Sequence, residues 1–160
     1  MEACRPRSHP QIAEEFQREL ADLGHHSAIG CVVHGDCTVA NTLVDERAKS
    51  ASALIDFTLA HLGPPESDIS FALWVNGRTE RSDLTLDADR IRMFIAGYHR
   101  IRPLSDSAVR AIPLYLVGRG LQMQVRLEQA GSWDQIQVKR LEWLDEHRSW
   151  LEQVVASAVH

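Results

Sequence analysis

Apolar residues recur at helical spacing over most of the chain after Glu66, and this pattern predicts a largely helical fold. The last segment shows it best, because Ile136, Leu141, Leu144 and Leu151 fall on one broad stripe. The predicted helices are 67–75, 86–100, 105–130 with Pro113 as a candidate break, and 133–158 as one long helix.

The N-terminal part combines one predicted helix with short β-type runs. The helix covers 10–23, carries the apolar stripe Ile12, Phe16, Leu20 and Leu23, and ends at Gly24. Three apolar runs follow at 28–34, 42–45 and 53–57, and polar residues 46–52 are predicted to form a hairpin connection. The sequence therefore predicts an α+β, mainly helical fold, with a small β-hairpin element followed by a helical bundle.

One domain is expected over 1–160. Its predicted parts are an N-terminal helix in 1–27, the loops that carry the chemistry in 28–60, and a helical subdomain in 61–160.

The composition argues against several kinds of partner. The chain has 160 residues, a net charge of -5 and no basic run, so it has no electrostatic reason to bind nucleic acid or an anionic membrane. No apolar stretch is long enough to span a membrane, and the first residues lack the apolar segment of a signal peptide. Three cysteines in no paired spacing do not predict a disulfide framework. We therefore expect a reduced, cytoplasmic protein.

Three polar residues stand at the ends of the predicted strands. Asp36 and Asn41 bracket a short loop between two strands, and Asp56 closes a third run. A hairpin brings such strand ends together. A carboxylate and an amide oxygen suit Mg²⁺, and a second carboxylate can accept a hydrogen bond from a substrate hydroxyl. Taken singly, each residue is a typical turn residue, whereas their order and spacing together indicate a site.

The pattern His-x-Asp-x-x-x-x-Asn over 34–41, followed by Ile-Asp-Phe at 55–57, resembles the catalytic and metal-binding loops of aminoglycoside phosphotransferases, choline kinases and homoserine kinases. The resemblance continues through 63–70, where Gly-x-Pro-x-x-Asp opens the next helix, and through the Gly-Tyr and Pro-Leu positions of 94–104. It implies a protein-kinase-like fold, of which this chain would be the C-terminal catalytic lobe.

The resemblance also implies a role for each residue of the motif. Asp36 would be the catalytic aspartate that accepts or orients the acceptor hydroxyl. Asn41 and Asp56 would hold the Mg²⁺ that bridges the phosphates of ATP. His34 and Asp68 would support the loops, Asp68 by hydrogen bonding to backbone amides as a helix N-cap does.

The chain departs from the family pattern in three respects. Ala40 stands where the family commonly has glycine, and Thr58 stands where it commonly has glycine or an acidic residue. The third departure is the N-terminal lobe, whose glycine-rich strands and lysine precede the catalytic aspartate in a kinase. Both lysines here, Lys49 and Lys139, follow Asp36, and no glycine-rich phosphate loop is present. We therefore predict no N-terminal lobe, and little ATP-dependent phosphorylation by this chain alone.

Three functions remain open at this point. The first is a phosphotransferase that passes the γ-phosphate of ATP to a hydroxyl of an amino alcohol, aminoglycoside or similar acceptor, and that is incomplete without an N-terminal lobe. The second is a kinase-derived domain that has lost ATP chemistry and acts as a small-molecule binding protein or as an enzyme of another class. The third, an interaction module, is disfavoured because Asp36, Asn41 and Asp56 are all present.

Two expectations concern what the chain binds. Acidic residues such as Asp87, Asp89, Glu142 and Asp145 are candidates to attract a cationic acceptor, although charges of this kind are commonly a solvated helix face. Strands that lack an overlying lobe expose apolar side chains, and the stripe of the first helix covers only part of them. We therefore predict a homodimer, or a complex with a second chain, through the first helix and the strands.

Overall fold

Helices account for most of the computed structural model, which describes residues 9–23, 30–80, 84–132 and 134–160. The mainly helical α+β prediction is confirmed. The helices are α1 His9–Asp22, α2 Pro65–Asn76, α3 Ala88–Ile101, α4 Asp106–Gln129, α5 Gln135–Glu146 and α6 Arg148–Ala156, and the strands are β1 Cys31–Val33, β2 Thr42–Asp45, β3 Ser50–Leu54 and β4 His61–Gly63. No helix in these ranges is long and apolar enough to cross a membrane.

The strands form two separate antiparallel pairs. β2 and β3 make the predicted hairpin, with Thr42 opposite Leu54. Its turn is shorter than predicted, because β3 begins at Ser50 and ends at Leu54 rather than covering 53–57. β1 pairs with β4, which was not predicted and lies in the part assigned to the helical subdomain. Three residues are too few to show the alternation that marks a strand in a sequence.

Helix α4 is the centre of the fold. It packs against α1, α2, α5 and α6, and the buried side chains between them form one core. Ile112 and Leu116 of α4 are fully buried, as are Leu141 of α5 and Leu151 of α6. Pro113 does not break the helix as proposed. It lies buried inside α4, which continues past it even though proline cannot donate a backbone hydrogen bond.

The long helix predicted over 133–158 is instead two helices, α5 and α6. His147 separates them, with φ -107° and ψ 17°. Its Nδ1 lies 2.9 Å from the carbonyl oxygen of Trp143, and the two rings stack at 4.5 Å between centroids. The apolar stripe continues across this junction, so the sequence pattern could not reveal it.

The apolar stripe of α1 faces the core. Ile12 is buried, and the ring of Phe16 packs against α4 at Gly118, where an added Cβ would lie 2.5 Å from the Phe16 Cζ. The helix uses this stripe to join α4, and the predicted association through the first helix and the strands stays a prediction. Gly24, the predicted end of the helix, lies outside the described residues.

Candidate functional site

A loop at 34–41 connects β1 to β2 and carries the first two predicted site residues. The loop turns at Gly35, whose φ is 77°. A Cβ at this position would lie 2.4 Å from the carbonyl oxygen of Leu59. Only glycine permits this close approach, because any side chain would meet backbone on a conformation that L-residues disfavour. The turn sets the residue before Asp36 directly against Leu59.

Asp36 and Asn41 are in direct contact. The Asn41 Nδ2 donates to the Asp36 carboxylate at 2.9 Å and to the Asp36 carbonyl oxygen at 2.9 Å. With its amide nitrogen used in this way, Asn41 keeps its Oδ1 for another partner. Ala40 lies in a short 3₁₀ turn and is not among the residues with positive φ, so the missing glycine causes no strain there.

Asp56 follows the end of β3, next to the same loop. The Ile55 amide donates to the Asn41 carbonyl oxygen at 2.9 Å, which fixes the two segments side by side. Asp56 itself has the left-handed conformation, with φ 62° and ψ 70°. The Thr58 hydroxyl donates to the exposed carboxylate at 2.6 Å and the Thr58 amide at 3.4 Å. These two hydrogen bonds, the hydroxyl first, lower the pKa of Asp56.

His34 lies between the two segments. It is buried, its Nε2 is 2.9 Å from the Ile55 carbonyl oxygen, and its ring packs on Phe57 with centroids 4.5 Å apart. The Asp36 amide donates to its Nδ1 at 3.2 Å. These two partners require the proton on Nε2, so the imidazole is a fixed bridge between loops.

Asp68 binds the loop from the helix beneath it. Its carboxylate oxygens accept from the His34 amide at 2.6 Å and from the Gly35 amide at 2.8 Å. The amides that it binds are therefore in the loop and not at the start of its own helix, where Pro64 is the N-cap. The expected contact with backbone amides is present, but it ties α2 to the 34–41 loop.

The donor set suits a hard cation held with little protein ligation. In the described ranges, no three His, Cys, Asp or Glu side chains converge as a metal cluster would. Asn41 Oδ1 and the Asp56 carboxylate could each supply an oxygen ligand, and Mg²⁺ commonly uses one or two protein ligands with waters and substrate phosphates. Burial, and then Asp68 and Asp36, raise the pKa of the Cys37 thiol, which disfavours the thiolate that a metal would need.

A cavity of about 470 Å³ opens beside the loop, and the sequence reasoning missed it. Gly35 and Asp68 line it on one side, and one face of α4 lines the other. The α4 residues are Tyr115, Arg119, Gln122 and Arg126, together with Gly118. Polar residues at 115, 119, 122 and 126 in a mostly apolar helix were the available signal, because this spacing puts them on one face.

The acidic residues considered as attractors of a cationic acceptor lie elsewhere. Asp87 caps the start of α3, and Asp89 pairs with Arg92 in its first turn. Asp145 lines a second cavity, of about 410 Å³, that contains no residue of the 34–41 or 55–58 segments. The charges that line the cavity beside Gly35 therefore differ from those expected.

The chain matches the Phosphotransferase enzyme family over residues 2–104. The chain belongs to this family. The match includes Asp36, Asn41, Asp56 and Asp68, and it ends before α4 begins at Asp106. The resemblance to aminoglycoside phosphotransferases and homoserine kinases is confirmed at the level of the family.

Several homoserine kinases are similar to this chain. One from Caulobacter sp. (strain K31) is 32% identical over 127 residues, which are 78% of this chain and 38% of the relative. One from Paramagnetospirillum magneticum is 30% identical over 143 residues, which are 82% of this chain and 42% of the relative. The chain thus spans about two fifths of the length of these relatives. No solved structure matches it.

The pKa of Asp56 gives a test of this geometry. Thr58→Val removes the hydroxyl and keeps the shape of the side chain, so the pKa of Asp56 should rise toward its ordinary value. Carboxyl ¹³C shifts followed by NMR against pH measure it. Asp87 is the internal control, because its lowered pKa depends first on the Arg90 amide and should not move. An unchanged Asp56 titration would contradict the Thr58 assignment.

The sign of the effect on stability follows from the direction of the shift. Because the pKa of Asp56 is lower in the folded protein than its ordinary value, its carboxylate stabilises the fold above that ordinary value. The contribution is lost as the pH falls through the folded value. In Thr58→Val the loss should occur at a higher pH.

Proposed function

We propose that this chain is the catalytic lobe of a small-molecule phosphotransferase that transfers the γ-phosphate of ATP to the hydroxyl of a small acceptor. Amino alcohols and aminoglycosides are the acceptor classes that the family resemblance favours, and the relatives named homoserine kinase make L-homoserine the first to test. The observation that carries the proposal is the contact of Asn41 with Asp36 at 2.9 Å, beside the segment that holds Asp56.

Asp36 is assigned the role of general base. Asn41 holds one carboxylate oxygen, Oδ2, which leaves Oδ1 to accept the hydroxyl proton of the acceptor. The acceptor oxygen then bonds to the γ-phosphorus, the bond from that phosphorus to the bridging oxygen of ADP breaks, and the proton passes to Asp36. Asn41 orients the base before the reaction, so little rearrangement is needed during it.

Asn41 and Asp56 are assigned as the metal ligands of the same site. Bound Mg²⁺ supplies charge neutralisation on the phosphates of ATP. The Thr58 hydrogen bonds lower the pKa of Asp56, which favours the charged carboxylate that a metal ion binds. The left-handed backbone at Asp56, which costs an L-residue roughly 1–2 kcal/mol, is the kind of strain found at functional sites.

Two further features belong to the proposal. Since the chain spans about two fifths of its relatives, we assign the positioning of the ATP triphosphate to a second lobe. We also propose a cytoplasmic location. Cys31 and Cys37 support it as unpaired thiols, which are ordinary in a reducing compartment.

Manganese binding tests the metal site without nucleotide. Mn²⁺ titrated into the ¹⁵N-labelled protein should broaden the amide signals around Asn41 and Asp56 before all others. Asp56→Asn should remove this preference. Asp89→Asn is the control, because it makes the same substitution at an exposed aspartate in the first turn of α3. Broadening of the same signals in Asp56→Asn would contradict the assignment.

A second variant in the same experiment separates metal binding from chemistry. Asp36→Asn should bind Mn²⁺ as the unmodified protein does. Its transfer of label from γ-labelled ATP to L-homoserine should fall by about 10²–10⁴-fold, the usual contribution of a general base. Transfer is measured with the isolated chain and with the longest protein that its gene encodes. Equal transfer by Asp36→Asn and Asp89→Asn, in a preparation whose unmodified protein transfers the label, would contradict the proposed function.

We also propose that the strands form an interface with a second copy of the chain. The exposed apolar side chains of the strands and of the turns beside them are together called the strand face here. Its exposed members are Val32, Val39, Leu43, Val44, Ile55, Phe57, Leu59 and Leu62. Apolar surface of this kind marks interaction sites, and the open edges of both strand pairs add unpaired backbone groups. Two copies related by a two-fold axis bury the same face on both sides.

Light scattering measures this association. The unmodified chain should have the mass of a dimer, and Val39→Glu with Leu62→Glu should be a monomer, because charges on the strand face oppose its burial. Met93→Glu with Ile101→Glu is the matched control on exposed positions of α3 and should remain a dimer. A monomeric unmodified chain at high concentration would contradict the proposal.

A further inference from the structure

The cavity beside Gly35 contains a guanidinium group with an unused donor. Arg119 of α4 is half-buried, its Cζ lies 4.1 Å from the centroid of the Phe71 ring, and its Nη1 donates to Gln122. Its Nε is buried and has no hydrogen-bond partner within the described ranges. A buried donor without a partner is costly, so such a group commonly marks the place of a ligand.

A second guanidinium faces the same cavity. Arg126 lies two helical turns beyond Arg119, and both residues line the wall. Neither forms a salt bridge with any described carboxylate. Burial first, and then the charge of Arg126, lower the pKa of Arg119, and Asp36 opposes this effect. Two neighbouring cations without an ion pair to the described carboxylates favour an anionic ligand and repel a cationic one.

The carboxylates near the cavity do not neutralise this pair. Asp68 lines the wall, but its two oxygens accept from the His34 and Gly35 amides. Asp36 is near enough to influence Arg119, and one of its oxygens is held by Asn41. The cavity therefore has its positive charge on α4, and its wall includes Gly35, the residue before the proposed general base Asp36.

We propose that this cavity is the acceptor site, and that Arg119 and Arg126 bind a carboxylate group of the acceptor while its hydroxyl lies at Asp36. The inference rests on the proposed function and narrows its acceptor to a small hydroxy acid, such as an amino acid with a side-chain hydroxyl. A guanidinium binds a carboxylate through two parallel hydrogen bonds, which the Nε of Arg119 and one of its terminal nitrogens can donate. Burial, and then the charge of Glu66, raise the pKa of Tyr115 in the cavity wall, so its phenol stays neutral.

Pairs of ligands that differ only in the carboxylate test the proposal. Calorimetry compares L-homoserine with 3-aminopropan-1-ol, L-serine with 2-aminoethanol, and glycerate with ethylene glycol. At least one acid should bind more than tenfold more tightly than its partner. If none of the three acids does so, the cavity does not select a carboxylate and the proposal is overturned.

Matched variants test whether Arg119 is responsible for the preference for the carboxylate. Arg119→Gln should weaken binding of the preferred acid by about 10- to 100-fold, as expected for lost hydrogen bonds to a charged group. It should leave the ligand without the carboxylate unaffected. Arg110→Gln is the control, since it changes an exposed arginine of the same helix that lines the other cavity. Equal affinities in the two variants would overturn the proposal. Arg119→Lys keeps the charge but loses the paired donors, so it should bind the acid with an intermediate affinity. This variant also tests the proposal if Arg119→Gln fails to fold.

Competition with inorganic phosphate and ADP tests whether the arginines bind a phosphate group rather than an acceptor carboxylate. If the arginines bind an acceptor carboxylate, neither should displace the acid at equal concentration. If phosphate binds more tightly than every acid and depends on Arg119, the pair serves phosphate and the carboxylate proposal is overturned. Binding alone decides these outcomes. Loss of label transfer in Asp36→Asn tests the proposed function separately, so the two can fail independently.

Discussion

Two hydrogen bonds from Asp68 tie the 34–41 loop to helix α2, and the arrangement of the site depends on them. One carboxylate accepts from both the His34 and Gly35 amides, at 2.6 and 2.8 Å. The loop has little apolar anchoring of its own, because most of it is not fully buried. Hydrogen bonds to a charged group contribute roughly 1.5–3 kcal/mol each, which is enough to select one conformation of a short loop. Asp36 and Asn41 then occupy fixed positions.

The packed core fixes the position of helix α2, to which the loop is bound, relative to helix α4, which lines the cavity. Helix α2 packs on α4, and the Ser70 hydroxyl of α2 bonds to the Ile112 carbonyl oxygen of α4 at 2.9 Å. One face of α4 is buried in the core, and another presents Arg119 to the cavity. The loop that holds the proposed base and the helix that lines the cavity are therefore positioned by the same packed helix pair.

The sequence predicted those parts whose signal is local. Helices α1 to α4 follow from apolar spacing, and the Asp36, Asn41 and Asp56 segments follow from a short motif. Contacts between distant segments left no such signal. The partner amides of Asp68 lie more than thirty residues away. The stripe of α1 did not reveal which helix it packs on, and Phe16 lies against Gly118 of α4. His147 separates helices α5 and α6, but the apolar stripe of the sequence continues across it. The α4 face of Arg119 was visible as a spacing, but only packing shows that it lines a cavity.

Amide hydrogen exchange in Asp68→Asn tests the central claim most directly. The substitution keeps the shape of the side chain but replaces one acceptor oxygen with an NH₂ donor, so one loop amide loses its partner. The account predicts exchange at His34 or Gly35 about 10- to 100-fold faster, from the loss of roughly 1–3 kcal/mol of local stability. Asp89→Asn, in the first turn of α3, should leave both amides unchanged. Slow exchange at both amides in Asp68→Asn would show that the loop is held by other contacts, and would contradict the account.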